Sequence, residues 1–276
     1  MIADLSVIIA ARNEEVLIGR CLKALLTQET ARGVEVVVAA NACSDRTVEM
    51  ARDHAPHFAA RGWQIQVLDL ADGGKVGALN AGDRVAKGNI RIYLDADVVC
   101  DPALLGQLAE VLDRPAPLYA TGTLVVTRAE TWVTRGYARI WTRLPFVTGG
   151  AVGAGLFAVN ATGRARWGDW PEIISDDTFA RLNFAPDARI EVPARYHWPM
   201  VEGLRNLIRV RRRQDAGVAE VYKLYPHLCA NESKARLARG DLPRLFIAAP
   251  MGFLIYLAVH LAVRASPPKG DWTRGR

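Results

Sequence analysis

Two stretches decide the fold, LSVIIAA at 5–11 and IRIYLDADVV at 90–99. Between them lie two further apolar runs, VEVVVAA at 34–40 and IQVLDL at 65–70, and longer amphipathic segments separate all four. Short runs of this kind are typical of buried parallel strands joined by crossover helices. The pattern predicts β-α-β-α-β-α-β for about the first hundred residues and an α/β, doubly wound, mostly parallel sheet.

The rest of the chain has a mixed pattern. TGTLVV at 121–126 and GAGLFAVN at 153–160 are strand candidates on either side of a helix-like stretch at 131–144. A basic amphipathic helix is expected from Pro199 to about Tyr225. We therefore predict a catalytic domain at 1–228, with a nucleotide-binding half at 1–100 and an acceptor half at 101–228, followed at 229–276 by a basic linker, an apolar membrane-associated helix at 245–263 and a basic tail.

Composition indicates a globular protein with a basic surface. The chain has 276 residues, 50% of them hydrophobic, and a formal net charge of +6. Such a charge suits nucleic acid, anionic lipid or phosphorylated substrates, whereas a solvated helix face would explain the arginines at 205–213 equally well. The four cysteines form no CxxC pair, and no signal peptide is recognisable, which indicates a reducing cytosol. Nucleic acid is not among the partners that we predict.

Polar residues follow every predicted strand of the first half. In doubly wound sheets ligands bind beyond the carboxyl ends of the strands. Asp95 and Asp97 end the fourth strand, and two carboxylates one residue apart can address one divalent cation, Mg²⁺ or Mn²⁺, while leaving coordination sites for phosphate. A diphosphate leaving group needs such a cation to absorb its developing charge.

Five ordered motifs carry a family resemblance: SVIIAARNEE, NACSDRT, GGKVGALNAG, YLDADV and SDDTFARL, spread over about residues 5–215. Their order and spacing resemble family 2 glycosyltransferases. The resemblance implies a GT-A fold and a hexosyltransferase-type enzyme that inverts the anomeric carbon. Its implied partners are a nucleotide sugar donor and a glycan or glycolipid acceptor.

The resemblance also implies roles on the donor side. Arg12, Asn13, Glu14 and Asn41 would lie around the nucleotide, and Asp45 would bind the base edge, although Glu14 could merely compensate a helix dipole and Asp45 could be an N-cap. The remaining donor-side assignments are Lys75 near the diphosphate, Asn80 either contacting the sugar or fixing a loop, Asp95 at ribose and metal, and Asp97 as the more direct metal ligand.

On the acceptor side the resemblance points to Asp176 and Asp177. An inverting transferase needs a carboxylate to remove the proton of the acceptor hydroxyl, and Asp177 is the candidate base. Asp176 replaces the usual Glu, which leaves its role open, and an N-cap is the alternative for either residue. Of the QxxRW motif found in processive members only Arg213 remains, which favours transfer of a single residue. His197 could contact metal or diphosphate, or be structural.

The segment Leu245–Val263 contains 19 residues without Asp, Glu, Lys or Arg. It could barely span a bilayer, break at Pro250 into a re-entrant or interfacial helix, or pack on the domain. Basic residues are balanced, with Lys234, Arg236, Arg239 and Arg244 before it and Arg264, Lys269, Arg274 and Arg276 after it. We expect association with the cytosolic face of a membrane. The competing hypotheses are a sugar-phosphate nucleotidyltransferase, whose usual glycine-rich opening loop is missing here, and a non-catalytic membrane-tethered scaffold.

Overall fold

The computed structural model describes residues 4–235, 237–238 and 240–265. The predicted basic tail with Lys269, Arg274 and Arg276, together with Arg236 and Arg239 of the linker, lies outside the described residues. The first four strands are β1 (Leu5–Ala11), β2 (Val34–Asn41), β3 (Gln64–Leu70) and β4 (Ile90–Asp95). The helices between them are α1 (Ile18–Leu26), α2 (Thr47–Arg52), α3 (Ala55–Ala60) and α4 (Lys75–Val85).

These four strands form the parallel half of the sheet. They lie in the order β3-β2-β1-β4, and every neighbouring pair is parallel. All residues of β2 and nearly all of β1 are buried because helices cover both faces of the sheet. The predicted β-α alternation is therefore confirmed. All four carboxyl ends meet at one edge.

The other half of the sheet is antiparallel. Its strands are β5 (Val99–Cys100), β6 (Tyr119–Val126), β7 (Leu156–Asn160) and β8 (Arg189–Trp198). The full order is β3-β2-β1-β4-β7-β6-β8-β5, with β4–β7, β6–β7 and β5–β8 antiparallel. The prediction of a mostly parallel sheet is wrong in this half, and the sheet is mixed. The chain reverses before β7 in a loop where Gly153 and Gly155 have φ of 72° and 77°.

The remaining helices lie between and after these strands in the chain. They are α5 (Leu104–Leu112), α6 (Trp132–Trp141), α7 (Pro145–Thr148), α8 (Ala161–Arg164), α9 (Asp176–Leu182), α10 (Leu204–Leu224), α11 (Asp241–Ala248) and α12 (Pro250–Arg264). Short 3₁₀ turns lie at Pro186–Ala188 and Pro226–Asn231. The Thr131 side chain caps α6 by accepting a hydrogen bond from the Thr134 N–H. The helices predicted at 131–144 and 199–225 are thus present.

The apolar helix predicted at 245–263 is divided into two helices, as the alternative of a break at Pro250 allowed. Ala249 is extended, with φ −159° and ψ 73°, between α11 and α12. Pro250 causes the break, since it lacks an N–H and disfavours helical geometry at the residue before it. With 15 residues, α12 is only about 22 Å long. Across the described residues, no helix combines the length and the apolar character needed to cross a bilayer.

The chain divides into two compact units. The first contains the residues through Val125 together with Gly153–Glu172 and Asn183–Trp198. The second contains Val126–Val152, Ile173–Leu182 and the residues from Pro199 onward. The core of the first unit is formed by the strands with α1 and α5 packed against them. Both units draw on separate stretches of chain, whereas the predicted domains are consecutive with boundaries after residues 100 and 228.

Candidate active site

Asn41 ties together the ends of three segments of the first unit. It lies at the end of β2 and is 3% exposed. Its Nδ2 donates to the Ala11 carbonyl at 2.9 Å, and its Oδ1 accepts from the Gly74 N–H at 3.1 Å. The amide therefore joins the ends of β1 and β2 to the turn that opens α4. Its predicted contact with the nucleotide stays a prediction.

The loop after β1 is braced against the loop after β2. Asn13 has φ 53°, and its Oδ1 accepts from the Ser44 N–H at 2.7 Å. The Glu14 N–H donates to Thr47 Oγ1 at 2.7 Å. Left-handed conformations persist in non-glycine residues only where the surroundings hold them. These cross-loop bonds fix the opening loop that the sequence assigns to the nucleotide.

The Asp45 carboxylate binds groups of its own loop and of the loop after β1. Its Oδ1 accepts from the Thr47 N–H at 3.0 Å and from Thr47 Oγ1 at 2.5 Å, while Oδ2 accepts from the Glu15 N–H at 3.2 Å. The N-cap position of α2 belongs to Arg46, so Asp45 lies one residue before it. The base-edge contact of Asp45 stays a prediction. Arg12 lies against the turn before α4, because a Cβ on Gly73 would be 3.1 Å from its Nη1.

Lys75 and Asp95 form the charged centre of this edge. Lys75 is the first residue of α4, and its Nζ lies 3.0 Å from Asp95 Oδ1. Both side chains are partly exposed, at 38% and 35%. The Asp95 N–H donates to the Gly155 carbonyl at 2.8 Å. A cation and a carboxylate therefore stand where the open N–H groups at the start of α4 already favour an anion.

The carboxylates of Asp95 and Asp97 suit a hard divalent cation. Both flank the end of β4, where the Val98 N–H closes a turn onto the Asp95 carbonyl at 3.1 Å. Among the described residues, no three His, Cys, Asp or Glu side chains group into a complete metal site. Mg²⁺ typically binds one or two carboxylates and takes its other oxygens from substrate phosphates and water. The residues present thus fit a cation whose coordination a diphosphate completes.

His197 lies on the strand beside this turn. It pairs with Val99 across β5 and β8, and its Nε2 is 2.9 Å from Asp101 Oδ1. Both side chains are 39% exposed. In this conformation the ring is held by a carboxylate, as in the structural alternative. The predicted metal or diphosphate contact of His197 remains a prediction.

The sequence reasoning missed Gly155 as a functional position. Its φ is +77°, and a Cβ there would lie 2.6 Å from Trp198 Cδ1 and 3.1 Å from Val98 Cγ2. Only glycine combines this backbone with such close neighbours. Its carbonyl holds the Asp95 backbone, so Gly155 sets the position of the carboxylate. The G-x-G at 153–155 directly before a strand was the available signal.

Asn80 fixes a loop, which was one of its two predicted roles. Its Nδ2 donates to the Trp170 carbonyl at 3.2 Å, and its Oδ1 accepts from the Trp170 N–H at 2.7 Å. The Trp170 indole N–H donates to Asp83 at 2.8 Å, and Arg164 binds the same carboxylate at 2.9 Å. Both ends of the Asn80 amide are therefore used within the protein.

Asp176 and Asp177 open α9 in the second unit. The helix begins at Asp176, so both aspartates lie in its first turn. Asp176 is 5% exposed, whereas Asp177 is partly exposed. The Thr178 N–H donates to Asp177 Oδ1 at 2.6 Å. Asp177 is thus the more accessible carboxylate of the pair.

A charged cluster that the sequence reasoning missed supports α9. Arg181 is 6% exposed, and its Nη2 lies 3.0 Å and 3.1 Å from the two oxygens of Glu232. Tyr222 Oη donates to Glu232 at 2.5 Å. Burial raises the pKa of Glu232, but the Tyr222 hydroxyl and the Arg181 guanidinium outweigh it and lower the pKa to about 2. Burial and Arg181 lower the pKa of Lys234, an effect that Glu232 and Asp177 partly oppose.

Helix α10 approaches the start of α9 closely. A Cβ on Gly217 would lie 2.4 Å from Ser175 Oγ, so only glycine lets the two backbones meet there. Arg213 lies about one turn earlier on α10 and is partly exposed. Its predicted contact with acceptor or diphosphate stays a prediction.

Comparison with known proteins gives consistent results. The family model described as "Glycosyl transferase family 2" matches residues 6–168. The uncharacterized glycosyltransferase EpsJ of Bacillus subtilis is 32% identical over 114 residues, which are 41% of this chain and 32% of that protein. The undecaprenyl-phosphate 4-deoxy-4-formamido-L-arabinose transferase of Edwardsiella ictaluri is 29% identical over 137 residues, 49% of this chain and 41% of that protein. The alignments thus span less than half of either relative.

Among solved structures, the mannosyltransferase PcManGT from Pyrobaculum calidifontis was determined with GDP-Man and Mn²⁺. It superposes with a TM-score of 0.62 at 21% identity, covering 96% of this chain and 76% of that one. Identity this low supports the shared fold alone. The α/β sheet with its helices is therefore consistent with the GT-A fold.

Proposed function

The chain belongs to glycosyl transferase family 2 and is a glycosyltransferase, and on that premise we propose a specific reaction. In this reaction the enzyme transfers a single sugar from a nucleoside diphosphate sugar to a hydroxyl of a lipid-linked or membrane-proximal glycan acceptor. The transfer inverts the anomeric carbon and depends on Mg²⁺ or Mn²⁺. The observation that carries the proposal is Lys75 Nζ at 3.0 Å from Asp95 Oδ1, two residues before Asp97.

The donor side is assigned to this charged centre. Asp95 and Asp97 would hold the cation, which supplies positive charge for the departing diphosphate when it is bound. Lys75 adds a fixed ammonium at the start of α4, where unpaired helix N–H groups also favour phosphate oxygens. The braced loop from Arg12 to Glu14 and the hydrogen-bonded loop around Asp45 form the proposed floor for the nucleotide.

The acceptor side is assigned to Asp177. Its carboxylate takes the proton of the acceptor hydroxyl while that oxygen bonds to the anomeric carbon. The bond between this carbon and the diphosphate oxygen breaks on the opposite face, and its electron pair leaves with the diphosphate. One displacement of this kind inverts the anomeric configuration. The Thr178 N–H on Asp177 Oδ1 orients the base.

Separate arguments support the acceptor class and the location. The name of the Edwardsiella ictaluri relative specifies an undecaprenyl phosphate acceptor, which favours a lipid-linked acceptor here. The loss of the tryptophan in the QxxRW position, where only Arg213 remains, favours transfer of a single residue. We place the reaction at the cytosolic face of a membrane because nucleotide sugars are cytosolic and such an acceptor is amphiphilic.

The test incubates the full chain with labelled nucleotide sugars, MnCl₂ and a membrane extract. We expect release of a nucleoside diphosphate together with label in the lipid fraction, and loss of both in excess EDTA. Conversion of the nucleotide sugar to a sugar phosphate and a nucleoside triphosphate, only when pyrophosphate is added, would indicate a nucleotidyltransferase instead. Binding of nucleotide without turnover of any donor would support the scaffold hypothesis and overturn the proposal.

A further inference from the structure

Exposed apolar side chains concentrate on α11 and α12. Among the described residues, twelve large apolar side chains are exposed, and seven of them lie on these two helices. The seven are Leu242, Phe246, Ile247, Met251, Leu254, Leu257 and Leu261. Soluble proteins rarely leave a contiguous apolar patch of this kind uncovered unless it binds something.

The inner face of α12 is firmly packed on α6. Gly252, Ile255 and Val259 are buried, and a Cβ on Gly136 of α6 would lie 2.6 Å from Ile255 Cδ1. The Tyr137 and Tyr256 rings stack with their centroids 5.3 Å apart. The exposed stripe is therefore the outward side of a docked helix. Helix α12 is thus apolar on its exposed side as well as on the side that packs against α6.

A row of arginines borders this stripe. A groove of about 910 Å³ runs between α6 and the start of α12, lined by Arg128, Arg135, Arg139 and Arg143 and by no carboxylate. All four arginines are exposed. In the described part of the chain, none of them forms an ion pair. Like charges four residues apart destabilise a helix. Binding of an external anion would therefore reduce the repulsion between these arginines.

We propose that this surface docks the protein onto an anionic phospholipid bilayer. The α6–α12 face comprises the four groove arginines, the seven exposed apolar side chains of α11 and α12, and Trp132, which is 62% exposed. The apolar side chains enter the boundary between headgroups and acyl chains while the guanidinium groups bind lipid phosphates. An apolar stripe bordered by cations is the signature of a helix that lies in the membrane plane.

A second copy of the chain fits this surface less well. In a two-fold dimer the same patch lies on both partners, so the arginines of both copies would share one interface, and the groove lining supplies no carboxylate to pair with them. The described stretch from 240 to 265 has one acidic residue, Asp241, which already lies 3.9 Å from Arg244. Charge complementarity therefore favours an anionic partner over self-association.

This inference rests on the membrane location proposed above and deepens it by naming the surface and the lipid class. It does not depend on catalysis. Vesicle binding can fail while transfer to a detergent-solubilised acceptor persists, and transfer can fail while vesicle binding persists. The two proposals are therefore separately testable.

The experiment is cosedimentation of the full chain with vesicles of phosphatidylcholine alone or with phosphatidylglycerol added. We expect the wild type to partition to the anionic vesicles, and to do so less as salt is raised. Replacing Arg139 and Arg143 with Gln should lower the partition coefficient roughly 30-fold, because each basic residue near an anionic surface contributes about fivefold. The matched control, Arg46→Gln with Arg52→Gln, removes the same charge from α2 and its preceding residue.

The apolar contribution has its own pair of variants. Leu254→Gln with Leu261→Gln should lower partitioning roughly tenfold or more, since each exposed leucine loses its burial in lipid. Leu204→Gln with Leu224→Gln places the same change on exposed leucines of α10 and should leave binding unchanged. Circular dichroism and the Tm show whether each variant is folded.

Three outcomes overturn the proposal. One is equal binding to neutral and anionic vesicles, and another is an equal loss in the face variants and their controls. The third is a wild type that sediments as a dimer without vesicles and becomes monomeric with Leu254→Gln and Leu261→Gln while vesicle binding is unchanged. That last result would assign the α6–α12 face to a second copy.

Discussion

The strand-end loops of the first unit and the α6–α12 face of the second unit differ in one respect. Side chains of the loops form hydrogen bonds within the protein, whereas side chains of the face are exposed to solvent. In the loops after β1 to β4, polar side chains such as Asn41 and Asp45 are bound to backbone groups of neighbouring loops. On the α6–α12 face, large apolar side chains and arginines are exposed to solvent. The first region holds its own geometry through these bonds, whereas the second is the surface that we propose docks onto a membrane.

Asp97→Ala should have the largest effect, and this effect should be confined to the function of the strand-end loops. It removes a carboxylate from the proposed cation site, so transfer should fall by roughly 1,000-fold or more, because a metal ion stabilises the departing charge by several kcal/mol. Metal-dependent nucleotide binding should disappear, while the Tm and vesicle binding stay at wild-type values. Turnover is measured by nucleoside diphosphate release.

Asp113→Ala is the matched control, since Asp113 is an exposed carboxylate paired with Arg32 after α5. It should keep full activity. Wild-type turnover of Asp97→Ala, or full wild-type activity in excess chelator, would refute the cation site.

Asp177→Asn should have the next largest effect. It keeps the shape of the side chain and removes the base, so the turnover number should fall roughly 100-fold or more while donor binding persists. Donor affinity is measured by calorimetry and turnover by product formation. Asp187→Asn, in an exposed 3₁₀ turn, serves as the control. Weakened donor affinity with an unchanged turnover number would instead place Asp177 on the donor side.

Gly155→Ala tests how far the strand-end loops depend on internal fit. The added Cβ would meet Trp198 and Val98, and φ of +77° disfavours alanine. Because the Gly155 carbonyl holds the Asp95 N–H, we expect donor affinity to fall roughly tenfold as the carboxylate shifts. Gly168→Ala is the control, since nothing lies within 4 Å of a Cβ there. Equal affinities in the two variants would show that Asp95 does not rely on Gly155.

Glu232→Gln should give the smallest effect, seen in stability. The pKa of Glu232 is about 2, below the ordinary value of 4.5, so the carboxylate stabilises the fold above pH 4.5 and loses this contribution as the pH falls toward 2. The variant should be about 2 kcal/mol less stable at pH 7 and show a flatter acid limb. Urea unfolding across pH measures both.

Glu49→Gln is the control, because Glu49 forms an exposed pair with Arg46. An acid limb of Glu232→Gln as steep as that of the wild type would assign the acid sensitivity to other groups.

The sequence predicted the parallel half of the fold well because its signals are local. A buried strand must be apolar along its whole length, and the helix that follows must be amphipathic, so β1 to β4 are visible in the sequence. The direction of β6 and β7 could not be predicted, because TGTLVV reads the same in a parallel or an antiparallel pair. The break at Pro250 was foreseen as one of several alternatives, since proline acts on its own backbone.

The candidate site shows the same limit. Asp95 and Asp97 were recognisable because two carboxylates and their strand stand together in the sequence. Nothing local indicated that Arg181 would bind Glu232, which is 51 residues away, or that both ends of the Asn80 amide would bind Trp170. Contacts across such separations depend on the tertiary path of the chain, and motif spacing does not encode it.

The Asn41 amide couples the loop after β1 to the loop after β3. Its Nδ2 donates a hydrogen bond to the Ala11 carbonyl, and its Oδ1 accepts one from the Gly74 N–H. The turn carrying Lys75 therefore cannot loosen without straining the anchor of the Arg12 loop. The two loops should relax on one timescale, and their adaptation to a different nucleotide in the course of evolution would have to occur in concert.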